Sequence, residues 1–130
     1  MITRLKVRAD FVAASKAAWQ ARPGVVVQAR HRADDDETLR SGFTATKKIG
    51  NAVTRNRAKR RLREAARQLL PEYGRPGHDY VFVARATTPT LAWQGLLDDV
   101  KAALIRLDAK ALARASAQGD TRTSQEKTSR

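Results

Sequence analysis

The chain has 130 residues, enough for one domain with a modest two-layer core. It carries 26 Lys and Arg against 13 Asp and Glu, and this net charge of +13 is typical of a nucleic-acid-binding protein. The absence of cysteine excludes disulfides, thiolate metal sites and a thiol nucleophile. No apolar run approaches the ~20 residues of a membrane-spanning helix, and the start of the chain lacks the apolar region of a signal peptide. We therefore expect a cytoplasmic protein with no membrane partner.

The first predicted element is a short helix. Residues 1–9 are basic, and we expect them to form a flexible lead-in. Asp10 can cap a helix, and Phe11 begins an apolar face that continues through two alanines at helical spacing. The helix should end near Gln20, because Arg22-Pro23-Gly24 interrupts the pattern.

Three β-strands are predicted from apolar and β-branched runs. They are Val25–Arg30, Leu39–Thr46 and Asp79–Arg85. The four acids Asp34–Glu37 lie between the first two strands. Contiguous acids at such a position are more often a solvated turn than a metal site, so we assign no metal ligand to them. The first two strands are therefore predicted to pair as a hairpin.

The segment Lys47–Arg63 has the highest charge density in the chain, because eight of its seventeen residues are basic and none is acidic. A turn at Gly50 leads into a helix predicted from Thr54 to Leu70, with small apolar residues on one face and arginines on the other. Glu64 is the only acid between Lys47 and Arg67, so ion pairs cannot neutralise this charge. The segment is predicted to bind nucleic acid. The candidate residues are Lys47, Lys48, Asn51, Arg55, Asn56, Arg57, Lys59, Arg60, Arg61 and Arg63.

A last helix is predicted to open at Pro89, with an apolar stripe from Trp93 to Leu107. From about Ala109 the composition becomes polar and charged, which divides the chain into a domain at 1–108 and a flexible basic tail at 109–130. The order of elements predicts an α+β fold, a two-layer sandwich in which one sheet has helices on one face and the other face is partly open.

No set of residues assembles a nuclease active site, so we assign no catalytic residue to the protein. His31 and His78 are each isolated in sequence, and no glycine-rich phosphate loop is present. An arginine-rich helix could also enter a DNA groove. This one lacks a helix-turn-helix partner, zinc ligands and a dimerisation heptad, which favours structured RNA.

The segment Gly42–Glu64 closely resembles the signature of the bacterial ribonuclease P protein component, in which Lys-Lys-x-Gly-x-Ala-Val precedes Arg-Asn-Arg and a helix of lysines and arginines. Arg8-x-x-Phe11 and Asp79–Arg85 extend the resemblance over about residues 3–107. The resemblance implies a left-handed crossover into the basic helix, as in a domain of a small-subunit ribosomal protein. It also implies a subunit of the ribonucleoprotein endonuclease that removes the 5′ leader of precursor tRNA. In that family the RNA subunit is the catalyst and uses Mg²⁺, so the protein alone should be inactive.

The resemblance further implies two RNA-binding surfaces. The basic motif would hold the catalytic RNA and metal-bound phosphates near the cleavage site, with one protein per RNA. The first helix and the open sheet face would form a cleft for the single-stranded leader, with Phe11, Phe43 and Arg85 as candidates. Family members often carry a second aromatic residue where this chain has Ser15, and Phe43 is a substitute stacking platform.

Alternatives stay open at this stage. Phe11 and Phe43 could equally be core residues. The same surface would also suit a ribosomal or chaperone-type RNA-binding protein or a DNA-binding module.

Overall fold

A mixed β-sheet forms the centre of the molecule, and helices cover both of its faces. The computed structural model describes the backbone of residues 2–127 and the side chains of residues 2–113. The elements in chain order are β1 (Ile2–Arg4), α1 (Arg8–Ser15), β2 (Ala18–Arg22), β3 (Val25–His31), β4 (Leu39–Thr44), a single 3-10 turn (Lys47–Ile49), α2 (Ala52–Tyr73), β5 (His78–Ala84) and α3 (Trp93–Lys127).

The order of strands in the sheet is β1-β4-β5-β3-β2. β5 pairs parallel with β4 and antiparallel with β3. The predicted hairpin of β3 with β4 is therefore wrong, because β5 lies between them. The physical reason for the central position of β5 is its burial, since the consecutive residues Asp79–Phe82, which point to both faces of the sheet, are all buried. A strand buried on both faces occupies the middle of a sheet, where both neighbours satisfy its backbone hydrogen bonds.

The N-terminal region differs from the expectation in two ways. Residues 2–4 form strand β1, which pairs parallel with β4, and Leu5 is buried, so these residues are not a flexible lead-in. α1 ends at Ser15, and Ala18–Arg22 forms β2 instead of continuing the helix. β2 pairs with β3 through the two-residue turn Pro23-Gly24. Pairing with a strongly β-branched neighbour outweighs the helix propensity of the alanines in β2.

α2 is the predicted basic helix, and it is longer at both ends. The Asn51 side chain caps it by accepting a hydrogen bond of 2.9 Å from the Thr54 N–H. The prediction ends the helix at Leu70, before Pro71, but Pro71 lies in the last turn and the helix continues to Tyr73. The apolar face packs on the sheet through the buried residues Ala58, Leu62, Ala65, Ala66 and Leu70, whereas Leu69, which the helical spacing places on that face, is only partly buried.

The α+β class is confirmed, with one difference in how the layers are arranged. α2 and α3 pack on one face of the sheet around Val27, Phe82 and Leu104. α1 packs on the opposite face, where Ala14 contacts the cluster of Leu5 and Val81. The three helices therefore do not share one face. Consecutive residues of β5 point to opposite sides, with Phe82 on one and Val81 on the other, so both faces of the sheet are covered by helices.

α3 continues without a break from Trp93 to Lys127, past Ala109, the predicted start of a tail. The division into a domain at 1–108 and a flexible basic tail stays a prediction. The last three residues of that tail, 128–130, lie outside the described residues. Among the helices of the described part of the chain, none is both long and apolar enough to cross a membrane.

Candidate RNA interface

Most of the predicted RNA-binding residues lie on the surface of the protein. The partly buried members of the set are Arg55, Lys59 and Arg61. Within the described residues, none of the ten forms an ion pair with a carboxylate. A cluster of like charges with no counter-ion in the protein attracts an external polyanion. The exposed members, which we call the basic surface, are Lys47, Lys48, Asn51, Asn56, Arg57, Arg60 and Arg63.

Glu64 is the acid closest in sequence to the basic surface, but it neutralises a different arginine. Its carboxylate accepts hydrogen bonds from Arg67 and from Gln68. These bonds, with the Arg67 bond contributing most, lower the pKa of Glu64 to about 2. Glu64 therefore stays charged at neutral pH and remains engaged by its own neighbours on α2.

The turn before α2 leaves the N-terminus of this helix, the positive end of its dipole, exposed at the surface. Gly50 has φ of 148°, a conformation that L side chains rarely adopt, and a Cβ there would lie 3.0 Å from the Thr54 side chain. This turn leads directly into the N-terminus of α2, where the helix dipole adds partial positive charge to the nearby Lys47 and Lys48. Phosphate is the ligand that such an arrangement favours.

Two arginines of the predicted set hold a loop of the protein itself. The Arg57 Nε donates to the Pro89 carbonyl oxygen at 2.9 Å. The Arg61 guanidinium donates to the carbonyls of Thr88 and Leu91 and lies 5.8 Å from the centre of the Trp93 ring. Burial, with a smaller contribution from the neighbouring charge of Arg57, lowers the pKa of Arg61. Part of the hydrogen-bonding capacity of both side chains is therefore used to anchor residues 88–91.

The three candidate leader-cleft residues do not come together in one place. Phe11 on α1 packs against Gly42, where an added Cβ would lie 2.6 Å from the Phe11 ring. Phe43 is the next residue of β4 and points to the opposite face, where its ring stacks on Phe82 with centroids 5.4 Å apart. Assigning Phe43 to the α1 cleft is therefore wrong in geometry. Arg85 is exposed at the end of β5 and donates to the Arg22 carbonyl at 3.0 Å.

A half-exposed tryptophan on the α1 face is a feature that the sequence analysis missed. Trp19 is 55% exposed and pairs with Gln28 across the antiparallel β2–β3 ladder. Its neighbour Ala18 packs on the opposite side, in the α2–α3 core, so the alternation of β2 directs Trp19 to the side of the sheet that carries α1. The available signal was the alternation of Ala18-Trp19-Gln20-Ala21, which the helix assignment obscured.

A second missed feature is a network of arginines and aspartates between α1 and the sheet. Asp79 is fully buried and accepts hydrogen bonds from Arg32 at 2.8 Å and from Arg40 at 2.7 Å. Asp10 on α1 pairs with Arg30 at 3.3 Å and with Arg40 at 3.4 Å. Burial alone would raise the pKa of Asp79, but the bonds from Arg40 and Arg32 outweigh it, so this pKa lies below its ordinary value.

The network positions α1 over the sheet. Asp79 lies within β5, directly between Arg30 of β3 and Arg40 of β4 in the strand register. Asp10 was predicted to cap α1, but Val7 occupies the cap position and Asp10 lies in the first turn. Its carboxylate extends the same network to the helix that carries Phe11.

The carboxylates of the acidic turn between β3 and β4 accept hydrogen bonds from residues of the same turn. The Asp34 carboxylate accepts from the Arg32 Nε at 3.0 Å, and the Asp36 carboxylate accepts from the Thr38 N–H at 2.8 Å. Among the side chains of residues 2–113, no group of three or more His, Cys, Asp or Glu is arranged to hold a metal ion.

Comparison with known proteins identifies the family. The family model described as Ribonuclease P matches residues 2–108. The ribonuclease P protein component of Caulobacter vibrioides is 63% identical over 106 residues, which cover 82% of this chain and 71% of that protein. The counterpart from Ruegeria pomeroyi is 53% identical over 110 residues, covering 83% of this chain and 88% of that protein.

A solved structure agrees with the sequence relatives. A Staphylococcus aureus RNase P protein, a mutant described as defective in mRNA degradation activity, superimposes with a TM-score of 0.69 at 25% identity. The match covers 81% of this chain and 87% of that structure. Together with the unneutralised basic surface on α2, these similarities show that the chain belongs to the ribonuclease P family, as a protein subunit of the ribonucleoprotein that processes tRNA.

Proposed function

We propose that the basic surface of α2 binds the catalytic RNA subunit of ribonuclease P and that the RNA subunit performs the cleavage. The observation that carries this proposal is the charge of the basic surface, none of whose residues pairs with a carboxylate within the described residues. Arg60 and Arg63 lie on the exposed side of a helix whose opposite side is buried in the core, so the helix directs both guanidinium groups to solvent. Arginine matches the geometry of phosphate oxygens and keeps its charge at every physiological pH.

The same proposal assigns the single-stranded 5′ leader of precursor tRNA to the α1 face. Phe11 and the half-exposed Trp19 supply aromatic rings on this face, and Arg85 lies exposed at the end of the central strand. Stacking on aromatic rings tolerates any base, which suits a leader whose sequence varies from one precursor to the next. One protein would then contact the catalytic RNA through α2 and the substrate through the other side of the sheet.

Mg²⁺ enters the proposal as a cofactor held by the RNA subunit and by substrate phosphates, with no protein ligand assigned. The reaction would take place in the cytoplasm, where bacterial precursor tRNA is transcribed. A dense cationic surface on the protein reduces the repulsion between the two RNAs, so less Mg²⁺ should be required when the protein is present.

Reconstitution tests the proposal. The purified full chain, its RNA subunit and a precursor tRNA are combined singly and together at low Mg²⁺ concentration, and the release of the 5′ leader is followed on denaturing gels. We expect no cleavage with protein alone and restored cleavage when both subunits are present. Cleavage of precursor tRNA by the protein without RNA would overturn the division of labour.

Two further measurements separate the alternatives. A messenger RNA incubated with protein alone checks for degradation of the kind named for the Staphylococcus aureus protein. Affinity purification of the full chain from cells should recover one large non-coding RNA. Recovery of ribosomal RNA instead would favour a ribosomal or chaperone-type RNA-binding protein.

A further inference from the structure

A cleft lies between α2 and the edge of the sheet, on the face opposite to α1. β1 pairs with β4 at the outside of the sheet, whereas α2 packs on β4 and β5, so β1 extends beyond the helix. The resulting cleft has a volume of about 690 Å³. Ile2 and Leu39 line it from the strands, and Ala66 and Leu70 line it from α2. Its size is within the range of sites that bind small organic groups, roughly 300–1,000 Å³.

One wall of the cleft is an aromatic ring next to a planar cation. Phe43 is partly buried, and its ring is held in place by the stacked ring of Phe82, its partner on the neighbouring strand, with centroids 5.4 Å apart. The Arg63 guanidinium lies 5.6 Å from the centre of the Phe43 ring. A supported ring and a guanidinium are the two side-chain surfaces on which unpaired bases stack.

The charges around the cleft favour RNA as its occupant. Arg63 belongs to the basic surface, so the cleft is continuous with the face of α2 to which we assign the RNA subunit. Arg67, another lining residue, is paired with Glu64, which leaves Arg63 as the lining arginine that has no carboxylate partner among the described residues. Glu37 also lines the cleft, and its negative charge disfavours a phosphate on its own side.

We propose that this cleft binds one unpaired base of the RNA subunit, with the base against Phe43 and its phosphate beside Arg63. The inference rests on the proposed function, since it takes the RNA subunit as the partner of α2. The leader does not fit this role, because the sheet separates the cleft from the α1 face. The cleft is thus a second contact with the catalytic RNA, made by shape and stacking as well as by charge.

Affinity for the isolated RNA subunit, without tRNA, tests the proposal. Phe43→Leu keeps an apolar floor but removes the ring, and Arg63→Gln removes the cation from an exposed position that does not support the core. We expect each variant to bind the RNA subunit about tenfold more weakly, the size of one lost stacking contact. Arg106→Gln, an equal loss of charge at an exposed position of α3, is the matched control and should change affinity less than about twofold.

Combining the variants separates stacking from charge. If Phe43 and Arg63 hold the same base, the double variant should bind only slightly more weakly than either single one. Arg63→Lys should restore part of the affinity at most, because an ammonium group keeps the charge but cannot bond the phosphate through two parallel N–H groups. Strictly additive losses would overturn the assignment of one nucleotide to both side chains.

Crosslinking gives a direct readout. Ultraviolet irradiation of the complex followed by mass spectrometry should identify one nucleotide of the RNA subunit on the peptide that contains Phe43. The inference is overturned if wild type reconstitutes leader removal while the Phe43 and Arg63 variants bind the RNA subunit normally and no crosslink forms. If wild type itself fails to reconstitute leader removal, the proposed function has failed instead.

Discussion

Replacing Asp79 by asparagine should destabilise the protein strongly. Asparagine keeps the shape of the side chain but removes the charge that Arg32 and Arg40 face, and Asp79 is fully buried. Removing one partner of a buried ion pair costs about 3–5 kcal/mol, because the remaining charge stays desolvated. Arg32 has a side-chain exposure of 4%, but that of Arg40 is 26%, so Arg40 can regain some hydration. We therefore expect the lower end, a loss of about 3 kcal/mol in the free energy of unfolding.

Urea denaturation followed by circular dichroism measures this loss. For a domain of this size, about 3 kcal/mol corresponds to a melting temperature lower by roughly 10 °C. Asp34→Asn is the control, because Asp34 also bonds Arg32 but lies in the exposed turn, and it should change stability little. If the free energy of unfolding of Asp79→Asn lies within about 0.5 kcal/mol of the wild-type value, the reasoning from buried charge is refuted.

The pH dependence of the same pair of proteins gives a second check. The pKa of Asp79 is lower in the folded protein than in the unfolded chain, where it is about 3.9. Its charge therefore contributes stability above the unfolded pKa, and this contribution is lost as the pH falls through the folded pKa. The difference in unfolding free energy between wild type and Asp79→Asn should be constant near neutral pH and shrink below about pH 4. A difference that grows in acid would contradict the direction of the shift.

Three further predictions concern RNA binding. Arg60→Ala should weaken affinity for the RNA subunit and leave the melting temperature unchanged. Arg61→Ala should lower the melting temperature, because Arg61 bonds backbone carbonyls. Equal melting temperatures for the two variants would contradict this distinction. In a Trp93→Phe protein, Trp19 is the one tryptophan, and precursor tRNA should quench its fluorescence more than mature tRNA does. Phe11→Ala should reduce the affinity for precursor tRNA selectively. An equal loss of affinity for both tRNAs would contradict the assignment of the leader to the α1 face. Affinity for the RNA subunit should fall with salt at a log–log slope of roughly −4, as for about five phosphate contacts, and a slope near zero would contradict the role of the basic surface.

The basic helix could be predicted well because its signals are local. Apolar residues recur at helical spacing between arginines, so the buried face of α2 follows from the sequence alone. Asn51 lies at the start of that pattern and caps the helix. The same locality has a limit at Pro71, where proline predicts a helix end but the helix continues to Tyr73 without the hydrogen bond that the missing N–H would make.

The order of the strands could not be predicted from local signals. β3 and β4 are adjacent in sequence and separated by an acidic turn, which favours a hairpin, yet β5 pairs with both of them. The choice depends on the total apolar surface that each arrangement buries, and β5 comes more than thirty residues after β4 in the chain. The α1-to-sheet network escaped prediction for the same reason, since Asp10 and Asp79 belong to distant parts of the chain that meet only in the folded sheet.

The sequence predicts which residues belong to the candidate RNA interface better than it predicts where their side chains lie. The exposed members of the basic surface follow from the phase of α2, whereas the tertiary bonds of Arg57 and Arg61 depend on where residues 88–91 lie. Phe43 was assigned to the wrong face because its neighbours in space depend on which sides of the sheet α1 and α2 occupy. The alternation of β4 shows that Phe43 and Gly42 point apart, but it does not show which helix covers each of them.

The central position of β5 has a consequence for the order in which the newly made chain can fold. β4 and β3 have no partner in common until residues 78–84 leave the ribosome, so the sheet cannot close before that point. α2 is synthesised earlier and must wait for part of the surface on which it packs, while its arginines are already able to meet RNA. Non-local pairing of this kind slows folding. The nascent protein therefore passes through an interval in which its most cationic helix is complete but its tertiary core is not.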